Sequence, residues 1–141
     1  NAQAYAQLGD LLLGARAFPQ AVENFEKAIA ADPNYAPAYL DLYQYYRYRD
    51  LAKSKENLEK YMALSDDKVN AQVYLVDILY LQQDYKGAVD KANAIMDQVS
   101  PVTKTRLNEL IADSKSRSGD TTGAKEYMEK FLQQQDASKR K

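Results

Sequence analysis

The amino-acid sequence predicts an all-α protein, a solenoid of antiparallel helix pairs. Apolar residues recur at spacings of three and four along most of the chain, which is the period of an α-helix. Helix breakers are sparse, with 5 Gly and 4 Pro among 141 residues. The apolar pattern itself recurs about every 34 residues, a period that is typical of stacked helical repeats.

Four segments carry the same amphipathic pattern and mark the second helix of each pair. The segment FPQAVENFEKAIAADP shows it most clearly, with one apolar face formed by Phe18, Ala21, Val22, Phe25, Ala28 and Ile29. Pro19 suits a first helical turn, and Pro33 marks the end of that helix.

Equivalent positions in the four segments establish the period. The first residues of these helices are Phe18, Leu51, Tyr85 and Thr121, with successive spacings of 33, 34 and 36 residues. A small residue follows three places later, at Ala21, Ser54, Ala88 and Ala124. Each such helix is preceded by another apolar segment, anchored by Leu8, Leu42, Leu75 or Ile111. One helical hairpin cannot bury its own apolar face, so neighbouring pairs must stack.

The pattern predicts eight helices in four pairs. Their expected bounds are 2–14, 18–31, 35–49, 51–64, 70–82, 85–98, 101–118 and 121–135. Ser100 and Pro101 form a start signal for the seventh helix. We expect one domain over residues 1–135, with repeats at 2–34, 35–67, 69–100 and 101–135. Residues 136–141 are expected to be a basic tail or the truncated start of a further repeat.

The pattern resembles the tetratricopeptide repeat (TPR) family. The first repeat has nearly the whole family signature, at Tyr5, Leu8, Gly9, Leu12, Phe18, Ala21, Phe25, Ala28 and Pro33. Later repeats depart from it, since Tyr43 and Val76 replace a small residue after the leucine. Tyr61, Ile95 and Phe131 similarly replace an alanine of the second helix. The resemblance covers about residues 2–135 and implies four TPR units in a right-handed superhelix.

Five tyrosines lie in the stretch YLDLYQYYRYRD, which covers residues 39–50. On a helical wheel, Tyr39, Tyr43 and Tyr46 share one arc with Leu42 and are expected to pack in the core. Tyr45 points to the flank, where the next repeat should stack. Tyr48 lies on the opposite arc and remains available for other contacts.

The family resemblance implies a concave groove lined by the first helix of each pair. Carried over by position, the expected partner-binding residues are Asp10, Leu13, Leu40, Gln44, Arg47, Tyr48, Val73, Asp77, Tyr80, Glu109, Asp113 and Arg117, with Ala6 and Ser116 beside them. The alternative is that these are merely solvated polar positions. Tyrosine and arginine are enriched where binding energy concentrates, which favours a contact surface.

The charge of these positions predicts the kind of partner. One TPR subgroup clamps acidic C-terminal tails with lysines and asparagines, whereas the corresponding places here are Asp10 and Asp77. Together with Glu109 and Asp113, they favour a neutral or basic segment of another protein. Arg47 and Arg117 either receive isolated acidic side chains or pair with those aspartates.

Composition argues against several other functions. The chain has no Cys and no His, which excludes thiolate and imidazole catalysis and the usual zinc sites. Its glycines are single and form no phosphate-binding loop, so we expect no enzyme, no cofactor and no metal site. The net charge of −1 argues against RNA binding, since nucleic-acid-binding domains are usually strongly basic.

The sequence leaves the cellular location open, because an exported protein and a cytoplasmic one are both compatible with it. The longest apolar runs are far shorter than the roughly 20 residues that span a bilayer, so we expect no membrane insertion. The last predicted helix offers an apolar face formed by Tyr127, Met128, Phe131 and Leu132. Its exposure would favour either a homodimer through that end or further repeats, which makes self-assembly the alternative function.

Overall fold

The computed structural model describes residues 1–139, and over that range it contains eight α-helices and no β-strand. The helices are α1 (Ala2–Gly14), α2 (Phe18–Ala31), α3 (Ala36–Tyr46), α4 (Leu51–Leu64), α5 (Lys68–Leu81), α6 (Tyr85–Ile95), α7 (Pro101–Arg117) and α8 (Thr121–Lys139). A short 3-10 turn, Met96–Gln98, follows α6. The predicted all-α fold with eight helices is therefore confirmed.

The chain divides into two compact units. The first is Asn1–Ala71, and the second begins at Gln72, inside α5. In the first unit α1 packs on α2, α2 on α3 and α3 on α4. In the second, α6 packs on α7 and α7 on α8, while α5 contributes Val73 and Val76 to a core shared with α6. The expected single domain over 1–135 stays a prediction.

Small residues allow close helix packing in both units. Ala21, Ser54 and Ala88 are fully buried, at the equivalent positions that the period identified. Phe25 and Leu58 fill the adjacent space, and each is almost completely excluded from solvent. Because core packing is dense, the alternation of small and bulky residues fixes how the helices of a pair fit together.

The turns inside the helix pairs follow the same period as the core. Asp50, Asp84 and Asp120 each cap the second helix of a pair, accepting a hydrogen bond from the backbone N–H three residues later at 3.1, 2.9 and 2.8 Å. A residue with positive φ lies in the turns before α2, α6 and α8, at Arg16, Gln83 and Gly119. An aspartate in this place satisfies a free N–H of the first helical turn.

Several predicted bounds need correction. Helix α3 is shorter than predicted, because residues 47–50 form the turn that leads into α4. Helix α8 is longer than predicted and continues to Lys139. The expected basic tail or start of a further repeat over 136–141 stays a prediction. No Gly or Pro follows Gly123 to stop the helix, and Lys139 in its last turn suits the helix dipole. Residues 140 and 141 lie outside the described residues.

The tyrosine stretch divides between core and surface. Tyr43 is fully buried, Tyr39 nearly so, and Tyr46 half-buried, as the helical wheel predicted. The Tyr39 hydroxyl donates to the Pro33 carbonyl oxygen at 2.7 Å, so its burial leaves no polar group unpaired. Tyr48 is 73% exposed, as predicted. Most of the aromatic run is therefore packing.

The apolar end predicted on the last helix is also corrected. Phe131 is only 6% exposed, and Tyr127 packs against the core of the second unit. The Tyr127 hydroxyl donates to Oδ1 of Asn108 on α7. Burial raises the pKa of Tyr127. Because α8 turns these side chains towards α7, only Leu132, at 51% exposure, remains a strongly exposed apolar residue of the four.

Candidate protein-interaction faces

The predicted partner-binding residues of the first unit lie on α1, on α3 and in the turn after α3. Asp10, Gln44 and Tyr48 are exposed, whereas Leu13, Leu40 and Arg47 are half-buried. Leu13 packs against the core formed by Ala21, Phe25 and Leu42 and offers only part of its side chain. The Arg47 guanidinium lies over two rings, 5.8 Å from the centre of Tyr43 and 4.8 Å from that of Tyr48.

A pair of carboxyl groups joins α1 to α3 in this unit. Asp10 and Asp41 are hydrogen-bonded through their side chains. Burial of Asp41, and secondly the charge and hydrogen bond of Asp10, raise the pKa of Asp41 to about 7. Near neutral pH the Asp41 carboxyl group is therefore protonated for part of the time. Asp41 was missed in the sequence because it lies one residue beyond Leu40, outside the arc that the wheel identified.

The predicted residues of the second unit lie on α5 and α7, where carboxylates meet arginines. Asp77 is only 8% exposed, and its Oδ1 accepts a hydrogen bond from Nη1 of Arg106 at 2.8 Å. The sequence analysis missed Arg106, although it lies seven residues before Asp113 and so on the same side of α7. Glu109 is exposed on that helix.

A second polar cluster on α5 and α7 brings three predicted residues together. The Tyr80 hydroxyl donates to Oδ2 of Asp113, and Nε of Arg117 donates to the same oxygen at 2.8 Å. The hydrogen bonds from Tyr80 and then Arg117 lower the pKa of Asp113. The bond to Asp113 raises the pKa of Tyr80 and that of Arg117. Of the two roles expected for Arg117, the structure thus shows the pairing with an aspartate.

Val73 does not belong to a contact surface. It is 4% exposed and packs in the core of the second unit with Val76 and Ala88. Its place in the predicted set is therefore wrong, because a side chain excluded from solvent cannot also contact a partner. The alternation of buried and exposed positions on α5 was difficult to read, since that helix is apolar on nearly every side: KVNAQVYLVDILYL.

Residues 1–139 contain neither a cluster of metal ligands nor a membrane-spanning helix. Within that range no group of three or more carboxylates has the arrangement of a metal site. None of the described helices is both long enough and apolar enough to cross a membrane. A cleft of about 350 Å³ opens in the second unit among side chains of α6, α7 and α8, and no predicted partner-binding residue lines it.

No protein-family model matches the chain, and no curated protein matches it. Solved structures do match. The crystal structure of PilW, a widely conserved type IV pilus biogenesis factor, has 19% sequence identity and a TM-score of 0.75, over 95% of this chain and 62% of that one. Pseudomonas aeruginosa PilF has 26% identity and a TM-score of 0.71, over 94% and 60%. A crystal structure of MamA has 18% identity and a TM-score of 0.78, over 100% and 82%.

These neighbours are TPR-containing helical solenoids, and the predicted resemblance is confirmed at the level of the fold. The chain spans about three fifths of the length of the PilW and PilF structures. This chain has the fold of a tetratricopeptide repeat protein.

Proposed function

We propose that this chain is a non-catalytic protein-interaction module that holds a neutral or basic segment of a partner protein on the first helices of its repeats. The TPR-type fold supports this proposal, because stacked helix pairs present long surfaces for extended segments or helices. The observation that carries the charge preference is the Asp10 and Asp41 pair on α1 and α3 of the first unit.

The two units differ in what they offer a cationic partner. In the second unit, Asp77 and Asp113 already pair with Arg106 and Arg117, so their negative charge is largely compensated within the chain. In the first unit, Asp10 is exposed beside another carboxyl group. A lysine or arginine of the partner would relieve the repulsion between the two acids. We therefore assign the basic preference to the first unit.

Tyr48 is the aromatic residue best placed to add affinity to that preference. It is 73% exposed, so most of its ring surface is open to a partner. Interface energy concentrates on Tyr and Arg side chains that become buried on binding. The charge of Asp10 would thus select the segment, and Tyr48 would supply apolar contact area.

Calorimetric titration with two peptides of equal length tests the proposal, one carrying lysines and the other glutamates at the same places. We expect the lysine peptide to bind more tightly, and Asp10→Asn and Tyr48→Ala to weaken it by several-fold each. Leu11→Ala is the matched control for Tyr48→Ala, because Leu11 is also 73% exposed. Preference for the glutamate peptide would refute the proposal. A Tyr48→Ala variant that retains full helicity and full affinity would also refute the assigned face.

Assembly with copies of itself or within a longer repeat array is the second candidate function. The observation that favours it is the match to a type IV pilus biogenesis factor, of which this chain covers 62%. Sedimentation at several protein concentrations tests self-association. A strictly monomeric species would count against this candidate and leave the peptide-binding proposal intact.

A further inference from the structure

Cations and aromatic rings alternate along one edge of the first unit. The Arg49 guanidinium carbon lies 4.8 Å from the ring centre of Phe18 and 4.3 Å from that of Tyr45. The Tyr45 ring meets Tyr46 edge to face, with centres 4.9 Å apart, and the Lys53 ammonium lies 5.2 Å from the centre of Tyr46. We call these five residues the cation–aromatic row. The row is built by the start of α2, the end of α3, the turn after α3 and the first turn of α4.

The contacts of Arg49 hold its side chain in one orientation. Its Nη1 donates to the backbone carbonyl of Tyr45 at 2.6 Å while two rings flank the guanidinium. A guanidinium has five N–H donors, so most of them remain available after this one bond. Because the Arg49 side chain is already ordered, binding a ligand would cost little of its conformational entropy.

The two cations of the row have no acidic partner in the part of the chain that the structure describes. No carboxylate of residues 1–139 lies within ion-pair distance of Arg49 or Lys53, whereas Arg106 pairs with Asp77 and Arg117 with Asp113. Asp50 is adjacent in sequence, but its Oδ1 accepts a hydrogen bond from the Lys53 backbone N–H at 3.1 Å and caps α4. The row therefore presents two positive charges that the first unit does not neutralise by direct pairing.

We propose that the cation–aromatic row binds an acidic segment of a partner protein, whose carboxylates pair with Arg49 and Lys53. The planar fork of Arg49 matches a carboxylate with two parallel hydrogen bonds. The rings of Tyr45 and Phe18 confine the guanidinium and exclude part of the water around it. This surface is separate from the Asp10 and Asp41 pair, has the opposite charge preference and does not depend on the function proposed above.

A protein segment fits the row better than a nucleic acid or a lipid surface. Polyanions are usually bound by extended basic surfaces. The first unit has more acidic than basic side chains over residues 1–71, so its positive charge is local. A local pair of cations beside aromatic rings suits one or two carboxylates with an apolar neighbour.

Fluorescence anisotropy with labelled peptides tests the proposal on the full chain. One probe contains glutamates spaced along a short segment, and the other has glutamine at the same places. We expect the glutamate probe to bind and to weaken with added salt. Arg49→Gln and Lys53→Gln should each weaken it by about 10-fold, as expected for charge-assisted hydrogen bonds. The control Lys55→Gln, an exposed lysine of α4 outside the row, should change affinity by less than about 2-fold.

Arg49→Lys keeps the positive charge but removes the planar fork of the guanidinium. If two parallel hydrogen bonds hold the carboxylate, this variant should bind the glutamate probe more weakly than the wild type. Circular dichroism shows whether each variant remains folded, and shifts of the Tyr45 and Tyr46 ring signals in NMR report binding on the wild-type protein. Equal binding of the glutamine probe, or equal weakening by Lys55→Gln, overturns the proposal. The proposal is also overturned if duplex DNA or anionic vesicles bind more tightly than the glutamate probe and Arg49→Gln abolishes that binding. The row would then be a binding site for a polyanion.

Discussion

Gly9 on α1 lies directly against the ring of Phe25 on α2. A Cβ atom added at Gly9 would be 2.5 Å from Cε1 of Phe25, a distance that non-bonded carbon atoms do not reach. Phe25 is fully buried, so its ring has little room to move. The absence of a side chain at position 9 therefore sets how closely the first two helices approach.

Gly9→Ala should destabilise the protein although alanine favours helices. Overpacking a filled core costs about 1–3 kcal/mol, and alanine returns roughly 1 kcal/mol of helix propensity. We expect a net loss of about 1 kcal/mol in the free energy of unfolding, measured by urea denaturation. Gly14→Ala is the control, because nothing lies within 4 Å of its added Cβ. Equal effects of the two substitutions would contradict the steric account.

Ser114→Ala should stabilise the protein. Ser114 is fully buried on α7, and its hydroxyl has no hydrogen-bond partner among the described residues. An unsatisfied buried polar group costs about 1–3 kcal/mol, so its removal should raise the free energy of unfolding by about 1 kcal/mol.

Ser54→Ala provides the comparison for Ser114→Ala, because the Ser54 hydroxyl is also buried but donates to the Leu51 carbonyl at 2.8 Å. Losing that bond should leave stability unchanged or lower it by up to about 1 kcal/mol. Thermal unfolding of both variants checks the order. A Ser114→Ala protein less stable than wild type would show that its hydroxyl has a partner.

The Asp10 and Asp41 pair predicts that stability falls as the pH rises towards neutrality. The pKa of Asp41 is about 7 in the folded chain against an ordinary value of 3.8, so the folded state binds the proton more tightly. Stability from this group is fully present below the unfolded pKa and is lost as the pH rises through the folded value. Between about pH 4 and 7, the urea midpoint should therefore fall in comparison with an Asp41→Asn protein.

Asp10→Asn separates the two causes of the Asp41 shift. Burial of Asp41 is the larger cause and the charge of Asp10 the next, so the Asp10→Asn protein should lose the smaller part of the pH dependence and keep the larger part. Denaturation of the wild type and of both variants across that pH range gives the comparison. Identical pH profiles for the wild type and Asp41→Asn would contradict the raised pKa.

Tyr80→Phe should raise the pKa of Asp113. The hydrogen bond from the Tyr80 hydroxyl is the largest cause that holds the pKa of Asp113 below its ordinary value, and the bond from Arg117 is second. Carboxyl NMR titration measures the change directly, with Glu109 on the same helix as an internal reference. If the pKa of Asp113 stays the same in Tyr80→Phe, the hydrogen bond does not form in solution.

The sequence alone determined the repeating architecture. Helical period, sparse breakers and the recurrence of Ala21, Ser54 and Ala88 predicted the helices and their pairing, because these features reflect local propensity and a burial pattern with a fixed period. The same reasoning placed Tyr39 and Tyr43 in the core and Tyr48 outside. The aspartate caps at 50, 84 and 120 follow the same period, but only the structure identified them as caps.

The tertiary structure alone decided which polar groups meet. A helical wheel fixes the rotation of each helix only to within a wide arc. It could not predict the contacts between helices, which are Asp10 with Asp41, Arg106 with Asp77 and Tyr80 with Asp113. A hydrogen bond requires atoms within about 3 Å, whereas a periodic pattern identifies only a side of a helix. For the same reason the sequence placed Val73 on the surface, although packing of α5 against α6 buries it.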